Sequence, residues 1–304
     1  LNLREQNSTS PFILKNWLWL ALKDEVLLPN QITNKEDKLM IKPFFGFTSY
    51  PFKKEIDKIF ISRQLDYLEK RCAHFVQTQG IAFLSGEVGS GKTTFIRHFL
   101  GSLDHNSYKY FYLSQTFRTA RSFFRTLASA LGLNPKYLIE DLIAQIKTEL
   151  MHIFRKQKLN PILVIDEAQN LSDTVLEEIR LLTNFGMDSK NYLSIFLLAH
   201  PILKARLKLV PYAALKQRIS FSYHLTGLEQ DEVEPYIACR LKAAGRTKPV
   251  FTPETITLLF NYSKGLPRII NTLAHESLYQ AAAQEKIMVD ENLIENIIQE
   301  WDNL

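Results

Sequence analysis

Gly86-Glu87-Val88-Gly89-Ser90-Gly91-Lys92-Thr93 decides how this chain is read. It follows the short apolar run Ile81-Ala82-Phe83-Leu84-Ser85 and precedes Lys92 to Leu100, a segment with helical spacing. A Gly-x4-Gly-Lys-Thr string between a strand and a helix is the pattern of a phosphate loop. Its glycines let the backbone wrap phosphates with successive amides pointing inward, and the helix N-terminus adds positive potential. In such a loop Lys92 reaches the β- and γ-phosphates of ATP and Thr93 ligates Mg2+. Gly86 to Thr93, with the following Thr94, are the expected nucleotide contacts.

The second half of the site is expected about 75 residues later. Ile162-Leu163-Val164-Ile165 is an apolar strand that delivers Asp166 and Glu167 at its C-terminal end, where ligands sit in parallel sheets. Asp166 is placed to hold Mg2+ and Glu167 to polarise the attacking water. An adjacent pair of this kind separates ATP hydrolases from many nucleotide kinases.

Strands and helices alternate around these two motifs. Strands are expected at 81–85, 108–113, 161–165, 193–199 and 219–225. Helices are expected at 92–100, 118–131, 138–154 and 174–185. Alternation implies parallel pairing through right-handed crossovers, hence an α/β core. After Leu225 the strand signal stops, and helices are expected at 229–244, 253–262, 266–283 and 291–301. The expected organisation is an N-terminal extension at 1–39, an α/β nucleotide-binding core at 40–226 and a small all-helical domain at 227–304.

Composition adds bounds. The chain has 304 residues, of which 46% are hydrophobic and 23% charged, which excludes wholesale disorder. Cys72 and Cys239 stand far apart without a CxxC, so neither a zinc site nor a disulfide framework is expected, and a reducing, cytoplasmic compartment is the default. The net charge of +5 is unevenly spread. Residues 40–160 carry 18 basic and 9 acidic side chains, whereas 226–304 carry 7 and 12. The basic stretch suits a polyanion partner, though an unevenly charged solvated surface gives the same counts. No stretch approaches the ~20 apolar residues of a membrane span. The nearest, Phe12 to Leu28, is broken by Lys15, Lys23, Asp24 and Glu25, and it lacks a signal-peptide cleavage pattern.

The first 39 residues are polar and turn-rich, and Met40 is followed at once by Pro43-Phe44-Phe45-Gly46-Phe47. Lys35 to Leu39 is encodable by a purine-rich ribosome-binding sequence at start-codon distance from Met40. The native start is therefore expected at Met40, with an arm that docks on a partner as the alternative.

Together the phosphate loop, Asp166-Glu167 and the helical tail resemble the AAA+ ATPases. More closely, Phe44-Phe45-Gly46-Phe47 with Pro51-Phe52, GEVGSGKTT at 86–94, VIDEAQNL at 164–171, LEEIRLLTNF at 176–185 and GLPRIIN at 265–271 resemble the ExeA-type family, over roughly Met40 to the C-terminus. Two kinds of protein share this core. One is the ATPase of a secretion complex, which continues into a membrane span. The other is encoded beside transposases and is similar in role to TnsC, MuB and IstB proteins. A chain that ends at Leu304 without a span favours the second.

The resemblance implies further roles. The end of the fourth strand senses the γ-phosphate, which here falls on His200 in Ala199-His200-Pro201, where relatives more often show Gly-Gln-Pro. Arg206 and Arg218 flank the helix before the last strand, where an arginine finger reaches the neighbouring subunit's ATP. Arg218 is the better placed. Arg268 in Gly265-Leu266-Pro267-Arg268 matches the lid-domain sensor. Ser114 or Gln115 would couple nucleotide to other ligands.

Arg118, Arg121 and Arg125 fall on one helical face, opposite Phe123, Phe124 and Leu127, with Thr119 at the same end. In initiator-type AAA+ proteins this region tracks DNA, whereas an ordinary helix would simply solvate the row. The expectation is a cytoplasmic ATPase that forms ATP-dependent rings or filaments on DNA, largely without sequence preference, and assists a transposase in target choice. The rivals are a secretion-complex ATPase and a weakly hydrolysing nucleotide switch that scaffolds partners.

Overall fold

The computed structural model describes residues 37–54, 59–185 and 191–303, with side chains from residue 41 onward. The expected extension at 1–39, apart from the backbone of its last three residues, and the apolar run from Phe12 to Leu28 lie outside the described residues. The chain divides into two units, Leu1–Met40 and Ile41–Leu304, and the second contains both Gly86–Thr93 and Asp166-Glu167.

In chain order the elements are α1 (Asp37–Phe45), α2 (Arg63–Thr78), β1 (Gly80–Gly86), α3 (Lys92–Ser102), β2 (Tyr108–Leu113), α4 (Ala120–Ala130), α5 (Ile139–Arg155), β3 (Asn160–Ile165), α6 (Asp173–Leu182), β4 (Ser194–Ala199), α7 (Pro201–Arg206), α8 (Ala213–Arg218) and β5 (Ile219–Leu225). There follow α9 (Gln230–Ala243), α10 (Pro253–Ser263), α11 (Pro267–Ala283) and α12 (Glu291–Asp302).

The five strands form one parallel sheet in the order β2-β3-β4-β1-β5. Successive side chains on a strand alternate between faces. On β3, Leu163 and Ile165 therefore join Phe123, Phe124, Leu142 and Ile146 in one apolar layer under α4, α5 and α6. Ile162 and Val164 face the other way, onto Leu68, Phe75, Phe95 and Phe99 of α2 and α3. A sheet buried on both faces needs the near-continuous apolar strands this sequence supplies. All five C-terminal strand ends then lie along one edge.

The expected strands and most expected helices form, with ends shifted by a few residues. Three differences matter. Helix α2 was not expected, although Ser62 caps it by accepting from Leu65 N and its Leu68, Cys72, Phe75 and Val76 recur at helical spacing. The helix expected before the last strand is two short ones, α7 and α8, joined by a turn at Val210–Tyr212. Helix α4 starts at Ala120, so Arg118 precedes it.

The helical region α9–α12 has its own core, and the segment after Met40 belongs to it. Ile41, Phe45, Phe47 and Phe52 pack with Ile237, Leu241, Phe251 and Leu278. Thr48 N donates to Ala244 O (2.8 Å), and the buried Arg240 donates to Lys53 O (2.6 Å). The domain expected at 40–226 therefore gives its first dozen residues to the helical layer, because the aromatic cluster needs an apolar face and the sheet's own faces are already covered.

The crossing near Thr226-Gly227 is a backbone-to-backbone contact. Leu228 N donates to Gly265 O (2.8 Å), and a Cβ on Gly227 would stand 2.2 Å from Lys264 O. The Gln64 side chain on α2 holds both sides of this crossing, accepting from Thr226 N and donating to Gly227 O.

Candidate functional site

Strand β1 ends at Gly86 and helix α3 begins at Lys92, so residues 87–91 must turn the chain from the sheet edge into the helix. The Lys92 ammonium folds over this loop and donates to Gly86 O (2.6 Å) and Glu87 O (2.9 Å). Burial pulls the ammonium below the ordinary lysine range. Glu167, Asp166 and Glu87 oppose that drop, and Arg268 adds to it. Inside the loop the Ser90 hydroxyl is buried and has no hydrogen-bond partner among the described residues.

Asp166 stands one residue beyond β3, its amide still bonded to Leu113 O of β2 (2.8 Å). Its carboxylate is buried and set by three donors. Thr93 Oγ1 (2.8 Å) and the Tyr112 hydroxyl (2.5 Å) donate to Oδ2, and Glu167 N donates to Oδ1 (2.8 Å). Burial, reinforced by this carboxylate, pushes the Tyr112 phenol well above its ordinary range. The fold thus brings Thr93 and Asp166, 73 positions apart, into direct contact. Two hard oxygen donors side by side, with a cationic lysine and an unpartnered hydroxyl on a loop of amides, fit a Mg2+-bound polyphosphate.

Glu167 is exposed, with a left-handed backbone (φ 52°). Its Oε2 accepts from Gln169 Nε2 at 2.5 Å. Gln169 Oε1 in turn accepts from His200 N at 2.9 Å. The His200 side chain caps α7, its Nδ1 accepting from Ile202 N (3.3 Å). That leaves Nε2 to carry the proton toward Glu87 Oε2, 3.0 Å away. His200 is therefore both a helix cap and a neighbour of the phosphate loop.

Arg268 reaches the loop from the helical region. Its amide donates to Gly89 O (3.3 Å), and a Cβ on Gly89, whose φ is +84°, would stand 2.5 Å from the Arg268 Cβ.

The two finger candidates have different surroundings. Arg206 is held within its own chain: it donates to the Tyr212 hydroxyl (3.0 Å), to Leu171 O (2.9 Å) and Gln169 O (3.3 Å), and to the Asp173 carboxylate. Arg218 closes α8, with Nη1 3.4 Å from Thr183 Oγ1. It precedes Ile219, which pairs with Ile81 at the start of β1, whereas the phosphate loop leaves the far end of β1 at Gly86. Five strand residues put about 16 Å between those ends.

Arg118, Arg121 and Arg125 are exposed, but only the last two lie on α4. Arg121 stacks on the exposed Tyr137 ring (4.6 Å to its centroid) and donates to Tyr137 O. Thr119 is the cap of α4, accepting from Ser122 N (3.2 Å). Ser114 and Gln115 are exposed beyond β2.

Two residues at the site were missed in the sequence. Gln169 lies within the quoted VIDEAQNL string, but nothing in the string says where its amide points. Tyr112 reads as one of several strand aromatics, and only the register of β2 beside β3 turns its hydroxyl onto Asp166.

A family described as an AAA domain matches residues 74–207. General secretion pathway protein A of Aeromonas hydrophila is 32% identical over 255 residues, which are 81% of this chain and 45% of that protein. The chain thus spans less than half the length of this curated relative. Among solved structures it is similar to Cdc6p from Pyrobaculum aerophilum (TM-score 0.61, 16% identity, 79% of this chain and 67% of that one). It is also similar to the ORC1 protein of Aeropyrum pernix, solved in complex with DNA (TM-score 0.59, 15% identity, 83% and 68%). The chain has the P-loop AAA+ fold, a parallel five-stranded sheet flanked by helices with a helical C-terminal region.

Proposed function

We propose that this protein binds ATP with Mg2+, hydrolyses it at interfaces between copies of itself, and assembles on DNA to assist a transposase. The observation that carries the ATPase reading is the Thr93–Asp166 hydrogen bond with Glu167 next in sequence. In this arrangement the loop amides and Lys92 hold the phosphates, Thr93 and Asp166 hold the metal, and Glu167 takes a proton from the attacking water. Thr93 and Asp166 would hold Mg2+, which when bound would supply positive charge against the charge that develops on the phosphates. Arg268 carries a cation from the lid to the same loop. Arg218 acts on a neighbouring copy, which its place at the opposite sheet edge from its own loop supports. His200 reads the γ-phosphate beside Glu87.

The exposed Arg118, Arg121 and Arg125, with Tyr137 stacked on Arg121, support a DNA face. Cationic side chains neutralise phosphates without reading sequence, and an exposed ring offers stacking. The two cysteines are unpaired, which suits a cytoplasmic protein. Among the described residues no helix is long and apolar enough to cross a membrane. A second reading, an ATPase serving a secretion complex, is favoured by the similarity to General secretion pathway protein A.

Duplex DNA binding by the purified protein with ATP, with ADP and without nucleotide separates the two. ATP-dependent binding and DNA-stimulated hydrolysis are expected. Hydrolysis that ignores DNA, with no DNA binding in any nucleotide state, would overturn the DNA reading in favour of the secretion one. Absence of ATP binding would overturn both.

A further inference from the structure

We infer that Gln169 is the positioning residue of the hydrolytic carboxylate, tying Glu167 to the end of β4. The inference rests on the ATPase reading of Glu167. Glu167 is exposed and leaves the sheet with a left-handed backbone, so its packing does not fix where its carboxylate points. The short hydrogen bond from Gln169 Nε2 to Oε2 does. The other end of the same amide is anchored as well, since Gln169 Oε1 accepts from His200 N. One side chain therefore spans from the last residue before α7 to the carboxylate beside Asp166.

The backbone under Gln169 is fixed separately. Arg206 donates to the carbonyls of Gln169 and Leu171 and is itself held by Asp173 and Tyr212. The half-buried Gln169 thus stands on a braced turn and aims in two directions.

In this held position Glu167 is first among the charges that favour the ammonium form of Lys92. Displacing a reacting group by about 1 Å costs on the order of 10²-fold in rate.

The experiment is a double-mutant cycle between Gln169→Ala and Glu167→Gln, read as kcat and, separately, as the Kd for ATP. Gln169→Ala should lower kcat by about 10- to 100-fold with the Kd changed less than about threefold, a shift under roughly 0.7 kcal/mol. In the Glu167→Gln background the same change should lower kcat no further, because Gln169 acts through the carboxylate already removed. Gln169→Glu keeps an acceptor for His200 N but loses the donor, so it too should lose kcat. Three results overturn the proposal: full kcat in Gln169→Ala, equal losses in both backgrounds, or wild-type kcat in Gln169→Glu. Glu167→Gln alone controls for the underlying reading. If that variant hydrolyses ATP normally, it is the ATPase role of Glu167 that fails.

Discussion

The amide of Arg268 donates to the carbonyl of Gly89 across 3.3 Å, and their Cβ positions cannot both be filled. The helical region therefore meets the phosphate loop backbone against backbone, at the first turn of α11.

Gly89→Ala should raise the Kd for ATP by about tenfold, or roughly 1.4 kcal/mol. The added methyl group both strains a residue at φ +84° and pushes Arg268 away. Arg268→Ala spares the loop and should bind ATP nearly as well while lowering kcat by about 10²-fold, the usual loss for a charge-stabilising donor. Calorimetric ATP titration beside steady-state hydrolysis separates the two. Equal losses of affinity in both variants would count against a sensing role for Arg268.

Lys92→Ala should abolish productive ATP binding, since the phosphates lose their main side-chain partner. Glu167→Gln should still bind ATP and hydrolyse it about 10²–10⁴-fold more slowly. Wild-type affinity in the first, or a rate within about twofold of wild type in the second, contradicts the assigned roles.

Arg218→Ala should bind ATP almost normally and lose hydrolysis, because a trans-acting arginine contributes about 10³–10⁵-fold. Mixing it with Glu167→Gln should restore some activity, since one interface can pair an intact Glu167 with an intact Arg218. No recovery in demonstrably mixed oligomers rules Arg218 out as the finger.

Arg206→Ala should behave differently, as a stability variant. It removes a guanidinium that holds Gln169 O, Leu171 O, Asp173 and Tyr212, with an expected loss of about 1–3 kcal/mol for bonds to a charged group. Thermal unfolding reads this directly. An unchanged melting temperature with activity rescued by mixing would transfer the finger role to Arg206.

Replacing Arg118, Arg121 and Arg125 together by Ala should weaken duplex binding and flatten its salt dependence while ATP affinity is kept. Each lost phosphate contact lowers the log–log slope by roughly 0.9. A triple variant with the parent's affinity and slope would leave these arginines as ordinary solvated charges and strengthen the secretion reading.

Both motifs were legible in the sequence because each is local. A loop of glycines ending in Lys92-Thr93, and four apolar residues ending in Asp166-Glu167, carry their strand and helix context with them. The strand–helix alternation was likewise sufficient for a parallel sheet, since each crossover needs a helix of its own. Only the tertiary structure decided what depends on register and on distant packing. The contact of Thr93 with Asp166 comes from β1 and β3 flanking β4 in the sheet, and the turn of Tyr112 onto the same carboxylate comes from β2 and β3 lying side by side. The transfer of Phe45, Phe47 and Phe52 to the helical layer comes from an apolar face that a sequence does not display. The bracing of the turn by Arg206, and the tether from Gln169 to Glu167, depend on where long side chains end. An arginine's spacing along the chain is the same whether its guanidinium reaches a neighbour or folds back onto its own turn, and only the partners that packing brings within hydrogen-bonding range distinguish the two.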